Sequence, residues 1–263
     1  IIFYFIDEVI SFLKNTKFEL NDIFSLFVLI YIAYKINRYS AFGNDAPAHL
    51  LFFYLISIYL KSEVNYNFLK KTSLTATYIF LNKITLGLAF FIPFTIYLKL
   101  NKKYKIFFSF SSLLIILWLL KNILVSGCLI YPINKTCFYK LSWADKTETI
   151  KQNISAEVWS KGWPDRNDEA ITESKFLKNF NWVNTWSSNH LRYILKILIP
   201  YIFLLLVILF VFNFYKKNKN KYLFFKENKK KNVIIIISTL GTIIFFLKFP
   251  LYRYGYSYLV TLI

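Results

Sequence analysis

Apolar residues gather along the chain in long unbroken blocks, not at the spacing of a half-buried helix or strand. Residues 193–212 read YILKILIPYIFLLLVILFVF and residues 233–247 read VIIIISTLGTIIFFL, with almost no charge in either. Blocks close to the roughly 20 residues that cross a bilayer core predict membrane-spanning helices. Residues 74–98, 106–126 and, with direction undecided, 20–36 fit the same description, and the chain closes on SYLVTLI, the opening of another block. The pattern therefore predicts an all-α polytopic membrane protein of about five to six transmembrane helices. With no Met and an unfinished last block, it reads as a fragment of a longer chain.

One block is ambiguous. Residues 46–60 (APAHLLFFYLISIYL) are short for a span, and His49, Ser57 and Lys61 project within about 120° of one another at helical spacing. That polar stripe predicts a helix lying on the outer membrane surface, with 37–73 wholly outside. The rival expectation has 46–60 cross the membrane, which would put Asp45 in the cytoplasm.

Charge then orients the blocks. The net charge is +19, and residues 216–231 hold eight Lys against one Glu, while 99–105 hold four Lys and no acid. Basic runs beside apolar spans mark cytoplasmic loops, so the excess is read as topology and no nucleic-acid partner is expected. Residues 106–126 then run outward, 193–215 return, 233–249 run outward again, and 74–98 run inward. Composition agrees, since 56% hydrophobic and 21% aromatic residues exceed what a soluble chain of this length can hide. The chain divides into a membrane region 1–126, a polar segment 127–192 and a second membrane region 193–263.

The polar segment carries five of the six Trp and seven of the fourteen acids, which predicts a folded extracytoplasmic cap. Trp143, Trp159, Trp163, Trp182 and Trp186 are either sugar-stacking faces or packing and interfacial residues. Trp159 and Trp163, in EVWSKGWPD, are the candidates for ligand contact. Cys128 and Cys137 share this segment and can close a small disulfide loop in an oxidising compartment. No CxxC or neighbouring His makes them a zinc site.

Ionisable groups within spans are the next candidates, because a charge at a helix centre costs about 2.5–3.5 kcal/mol on insertion scales. Lys83 lies deep in the 74–98 block, whereas Lys121 and Lys248 lie near outer ends, where snorkelling suffices. In RYSAFGNDAPAHLL, Asp45 and His49 stand four apart, with Pro47 between them to start a helix. Asp45 is a helix cap or a general base beside an imidazole. In PLYRYGYSY, Arg253 stands on an outer turn, with a planar fork that matches two phosphate oxygens.

FGNDAPAHLLFFYLISIYLKS resembles the start of GT-C-type polytopic glycosyltransferases, with an acidic first outer loop followed by a membrane-lying helix. KNILVSGCLIYPINKTCF, LSW, EVWSKGWPD and RYGYSYL are similar to bacterial membrane proteins of surface-polysaccharide loci. The resemblance implies transfer of a sugar from a polyprenyl-phosphate donor to a glycan or lipid acceptor at the outer face of the bacterial inner membrane. It makes Asp45 the catalytic base with His49 near it. Lys83, Lys121 and Arg253 would then contact the lipid phosphate, and the Trp-rich cap would seat the acceptor. The loop carries a single Asp and no DD or ExD pair, so the cofactor is left open, a divalent metal among the options. A flippase of lipid-linked glycans and a non-catalytic membrane scaffold are the competing expectations.

Overall fold

The computed structural model describes residues 1–14, 19–39, 45–100, 109–162, 172–219 and 229–263. Over these residues the chain is helical with no strand, and the β-type pairing present is an isolated bridge between Cys128 and Cys137. Helices α1 (Ile2–Lys14), α2 (Leu20–Tyr39), α3 (Asp45–Lys61) and α4 (Tyr66–Asn82) open the chain. A 3-10 segment, Ile84–Phe90, leads into α5 (Phe91–Lys99), and α6 (Ser109–Ser126) follows. The polar segment holds α7 (Lys146–Ser160), α8 (Glu173–Leu177) and α9 (Val183–Trp186). The last helices are α10 (Arg192–Lys219), α11 (Lys229–Lys248) and α12 (Tyr252–Leu262).

Contacts fix the direction of each helix. Lys230, at the start of α11, donates to the carbonyls of Leu60 and Ser62 at the end of α3, at 3.3 and 2.7 Å. That end adjoins the Lys-rich run, and we term it the basic end. At the far end of α11, Lys248 lies 3.6 Å from Glu157 of α7, and the Trp186 indole donates to the Pro250 carbonyl at 2.7 Å. The polar segment therefore sits on that end as the cap. Asp45 pairs with Arg253 there, so α3 and α11 are antiparallel and α3 runs from the cap end to the basic end. Seventeen residues at 1.5 Å each carry α3 about 25 Å.

Two expectations are corrected here. The 46–60 helix does not lie on a surface: Ala48, Phe52, Phe53, Leu55, Ile56 and Tyr59 are all buried, and α3 forms the centre of the main core. A helix apolar on every face has no side to offer water, so it packs inside. Of its polar stripe, His49 and Ser57 turn inward as well, while Lys61 stays exposed at the helix end. His49 meets Ser257, Ser57 donates to Asn21, and Lys61 pairs with Glu8. The traverse also leaves Asp45 at the cap end, against the expectation that a crossing helix would remove it from the cap's side.

The reason is the second correction. Residues 74–98 are not one span. The chain breaks at Lys83, whose φ of −149° and ψ of 97° leave the helical region. Helix α4 rises to Lys83 at the cap end, and the 3-10 segment and α5 descend from it. Phe80 stacks edge-on against Phe90 across this hairpin, and Tyr59 near the end of α3 bonds Thr95 of α5 at 3.1 Å. Helices α3 and α4 thus add two opposite runs between the ends, which cancel, so α6 and α11 run toward the cap and α10 away from it. Helix α2 rises antiparallel to α3, with Asn21 beside Ser57 and Tyr31 against Phe53.

Helix α12 packs on α11 through two glycines. Any side chain at Gly241 would enter the Tyr258 ring, and one at Gly255 would enter Phe245. Such small-residue contacts let backbones approach closely. The cap has its own core of Val158, Phe176, Trp182 and Trp186, continued by Ile194 and Phe245. In contrast, α6, α10 and α11 turn large apolar side chains outward, including Leu124 at 70% and Phe210 at 72% exposure. Two stretches, Val183–Ile208 and Lys230–Lys248, are helices long and apolar enough to cross a membrane.

Candidate functional site

Three backbone features converge at the cap end, and each delivers one ionisable side chain. The start of α3 presents Asp45, the break after α4 presents Lys83, and the first turn of α12 presents Arg253. Asp45 Oδ1 lies 2.6 Å from Lys83 Nζ, and Asp45 Oδ2 lies 3.7 Å from Arg253 Nε. The Tyr254 ring lies against both cations, with Lys83 Nζ 4.4 Å and the Arg253 guanidinium carbon 5.4 Å from its centroid. Lys83 Nζ also reaches the Arg253 carbonyl at 3.5 Å. Side-chain exposure rises from 5% at Lys83 through 16% at Asp45 to 27% at Arg253, so the cluster opens on the arginine side.

His49 stands one turn below Asp45 and ties α3 to α12. Its Nε2 lies 2.9 Å from the Arg253 carbonyl, and its Nδ1 lies 2.5 Å from Ser257 Oγ. A carbonyl can only accept, so Nε2 carries the proton of the neutral ring and Nδ1 accepts from the Ser257 hydroxyl. Both nitrogens are thereby engaged with α12. The imidazole holds the Arg253 backbone in place and does not face Asp45's carboxylate among its described hydrogen bonds.

Asp45, His49, Lys83 and Arg253, singled out separately in sequence, are thus brought together. The others are not. Lys121 is exposed on α6, and no described bond joins it to the cluster. Trp159 is 53% exposed on α7, while Trp182 and Trp186 are buried packing residues and Trp143 donates to the Ile123 carbonyl at 3.0 Å. Trp163 lies outside the described residues. Cys128 and Cys137 are joined as a disulfide at the base of the cap. Sequence reasoning missed Tyr254 and Ser257. Their signal is spacing, since Arg253 and Ser257 stand four apart at a helix start as Asp45 and His49 do.

The donor set does not suit a divalent metal. Among the described residues no group of three His, Cys, Asp or Glu side chains comes together to hold an ion. Asp45's oxygens face two cations, and both His49 nitrogens are bonded elsewhere. What the arrangement does supply is two cations and one carboxylate at the mouth of an apolar bundle. Such a set is chemically able to bind an anionic group and to keep a carboxylate beside it.

No curated protein and no solved structure matches the chain. One family does, over residues 1–260, nearly the whole length: the chain belongs to the family described as Domain of unknown function (DUF8201).

Proposed function

We propose that the chain is a multi-pass protein of a bacterial inner membrane that transfers a sugar from a polyprenyl-phosphate donor in surface-glycan assembly. The observation that carries this is the Asp45 carboxylate held between Lys83 and Arg253 beneath a Trp-bearing cap. Membrane insertion is supported by the large apolar side chains that α6, α10 and α11 turn outward. With the Lys-rich runs in the cytoplasm, α2, α4, α6 and α11 run outward. Helices α3, α5, α10 and α12 run inward, and the cap and the charged cluster share the outer face.

In the reaction, Lys83 and Arg253 hold the donor phosphate and Asp45 faces the acceptor hydroxyl. The acceptor oxygen attacks the sugar's anomeric carbon, and the bond from that carbon to the phosphate oxygen breaks. The electron pair leaves with the phosphate, and the acceptor proton passes to Asp45. Positioned cations stabilise the charge growing on the leaving phosphate. His49 positions Arg253, and the cap's exposed Trp159 is a face on which an acceptor glycan can stack. Replacing Asp45 with Asn should reduce transfer from a labelled polyprenyl-phosphate sugar in membranes by at least about a hundredfold. Undiminished transfer would remove Asp45 as the base.

Lys83's position at a helix break favours a second reading, a transporter of lipid-linked glycans, because broken helices line the substrate sites of many transporters. Protein reconstituted in liposomes separates the two: a new glycosidic bond marks the enzyme, and movement of intact lipid between leaflets marks the transporter.

A further inference from the structure

We infer that Asp45 is the resident counter-ion of a phosphate site, occupying the place a prenyl phosphate takes, so that ligand binding is what frees the carboxylate. This rests on the preceding proposal only for the identity of the ligand as a lipid phosphate. Lys83 and Arg253 both point their charge at the one carboxylate, and the starts of α3 and α12 bring the positive ends of two helix dipoles to the same place. The cluster therefore holds more positive than negative charge with Asp45 ionised. Both cations have contacts besides Asp45. The Tyr254 ring lies against both, and Lys83 also reaches the Arg253 carbonyl, itself held by His49. A phosphate approaching the arginine fork meets cations already in place, with Asp45 as the group in its way.

A phosphate at contact distance from the same cations repels the carboxylate, which drives Asp45 aside. Asp45 is the first residue of its helix and partly exposed, which gives its side chain a path aside, whereas Lys83 is enclosed. Once the phosphate holds both cations, the displaced carboxylate no longer contacts them and is free to face an acceptor hydroxyl. The donor must bind first, and the base becomes competent only in its presence.

The test is binding of farnesyl phosphate to the purified full chain in nanodiscs of neutral lipid. Asp45→Asn removes the competing charge and should lower the dissociation constant by about tenfold, whereas Lys83→Gln and Arg253→Gln should raise it by a similar factor. Equal or weaker binding by Asp45→Asn overturns the inference. If that variant fails to fold, carbodiimide labelling of Asp45 in the unaltered protein decides: labelling should rise with farnesyl phosphate, and a fall overturns the inference. Inorganic phosphate titrated in parallel separates the two proposals. If it binds as tightly as farnesyl phosphate, the lipid donor is wrong, while the response to Asp45→Asn still reads the counter-ion directly.

Discussion

His49 illustrates how a residue's chemistry is set by what faces it. An imidazole four residues from an aspartate invites a catalytic pairing, yet both of its nitrogens are engaged by α12. Replacing it with Leu would leave the Ser257 hydroxyl and the Arg253 carbonyl without their partner. Losing buried partners of this kind costs about 1–3 kcal/mol. The expected result for His49→Leu is a lower thermal unfolding midpoint together with weaker farnesyl phosphate binding, since Arg253 loses its support. An unchanged midpoint would mean that the imidazole tie contributes nothing. At this scale the sequence was partly legible. Asp45, Lys83 and Arg253 each stood out on local grounds, but Lys83 and Arg253 are 170 residues apart, and no local pattern says that they meet. Lys121 was also a phosphate candidate, although its place near an outer end made snorkelling sufficient. What separates them is backbone: Lys83 sits where a helix ends, and Lys121 lies inside the continuous α6.

The α3–α4 pair carries the main lesson among elements. Helix α4 was hidden because it reads as polar, with Lys70, Lys71, Thr72, Ser73, Thr75 and Thr77 in one stretch. Thr72 and Thr75 return their hydroxyls to the carbonyls of Phe68 and Lys71, so their polarity is absorbed within the helix. Once α4 is missed, α3 has no partner and must be laid on the surface to keep the later spans in order. The long α10 and α11 needed no such help, because each carries an apolar run long enough by itself to cross a membrane. The hairpin makes a sharp prediction for the turn at 62–65, which adjoins Lys230 at the basic end. In intact cells, a Glu63→Cys variant should resist a membrane-impermeant thiol reagent and react once the membrane is opened. Reaction from outside would return 37–73 to the outer surface.

Considered as a whole, the molecule is an apolar bundle with one charged mouth and one polar cap over it. The cap's placement predicts that Cys128 and Cys137 are oxidised in protein taken from membranes without reductant. Alkylation should then require prior reduction, and free thiols in freshly isolated membranes would place the segment on the reducing side. The polar segment was legible from its acids and Trp, but not its attachment, which runs through residues far apart in the chain. Trp186 bonds the Pro250 carbonyl, and Glu157 lies near Lys248, so the cap grips the turn that leads into Arg253. That grip limits how relatives can exchange parts. A cap transplanted alone from 127–192 would arrive without the turn it was shaped to hold, and recombination that preserves a working mouth must carry residues 248–254 along with it. The unit that has to move together is the cap and a seven-residue stretch more than fifty positions downstream.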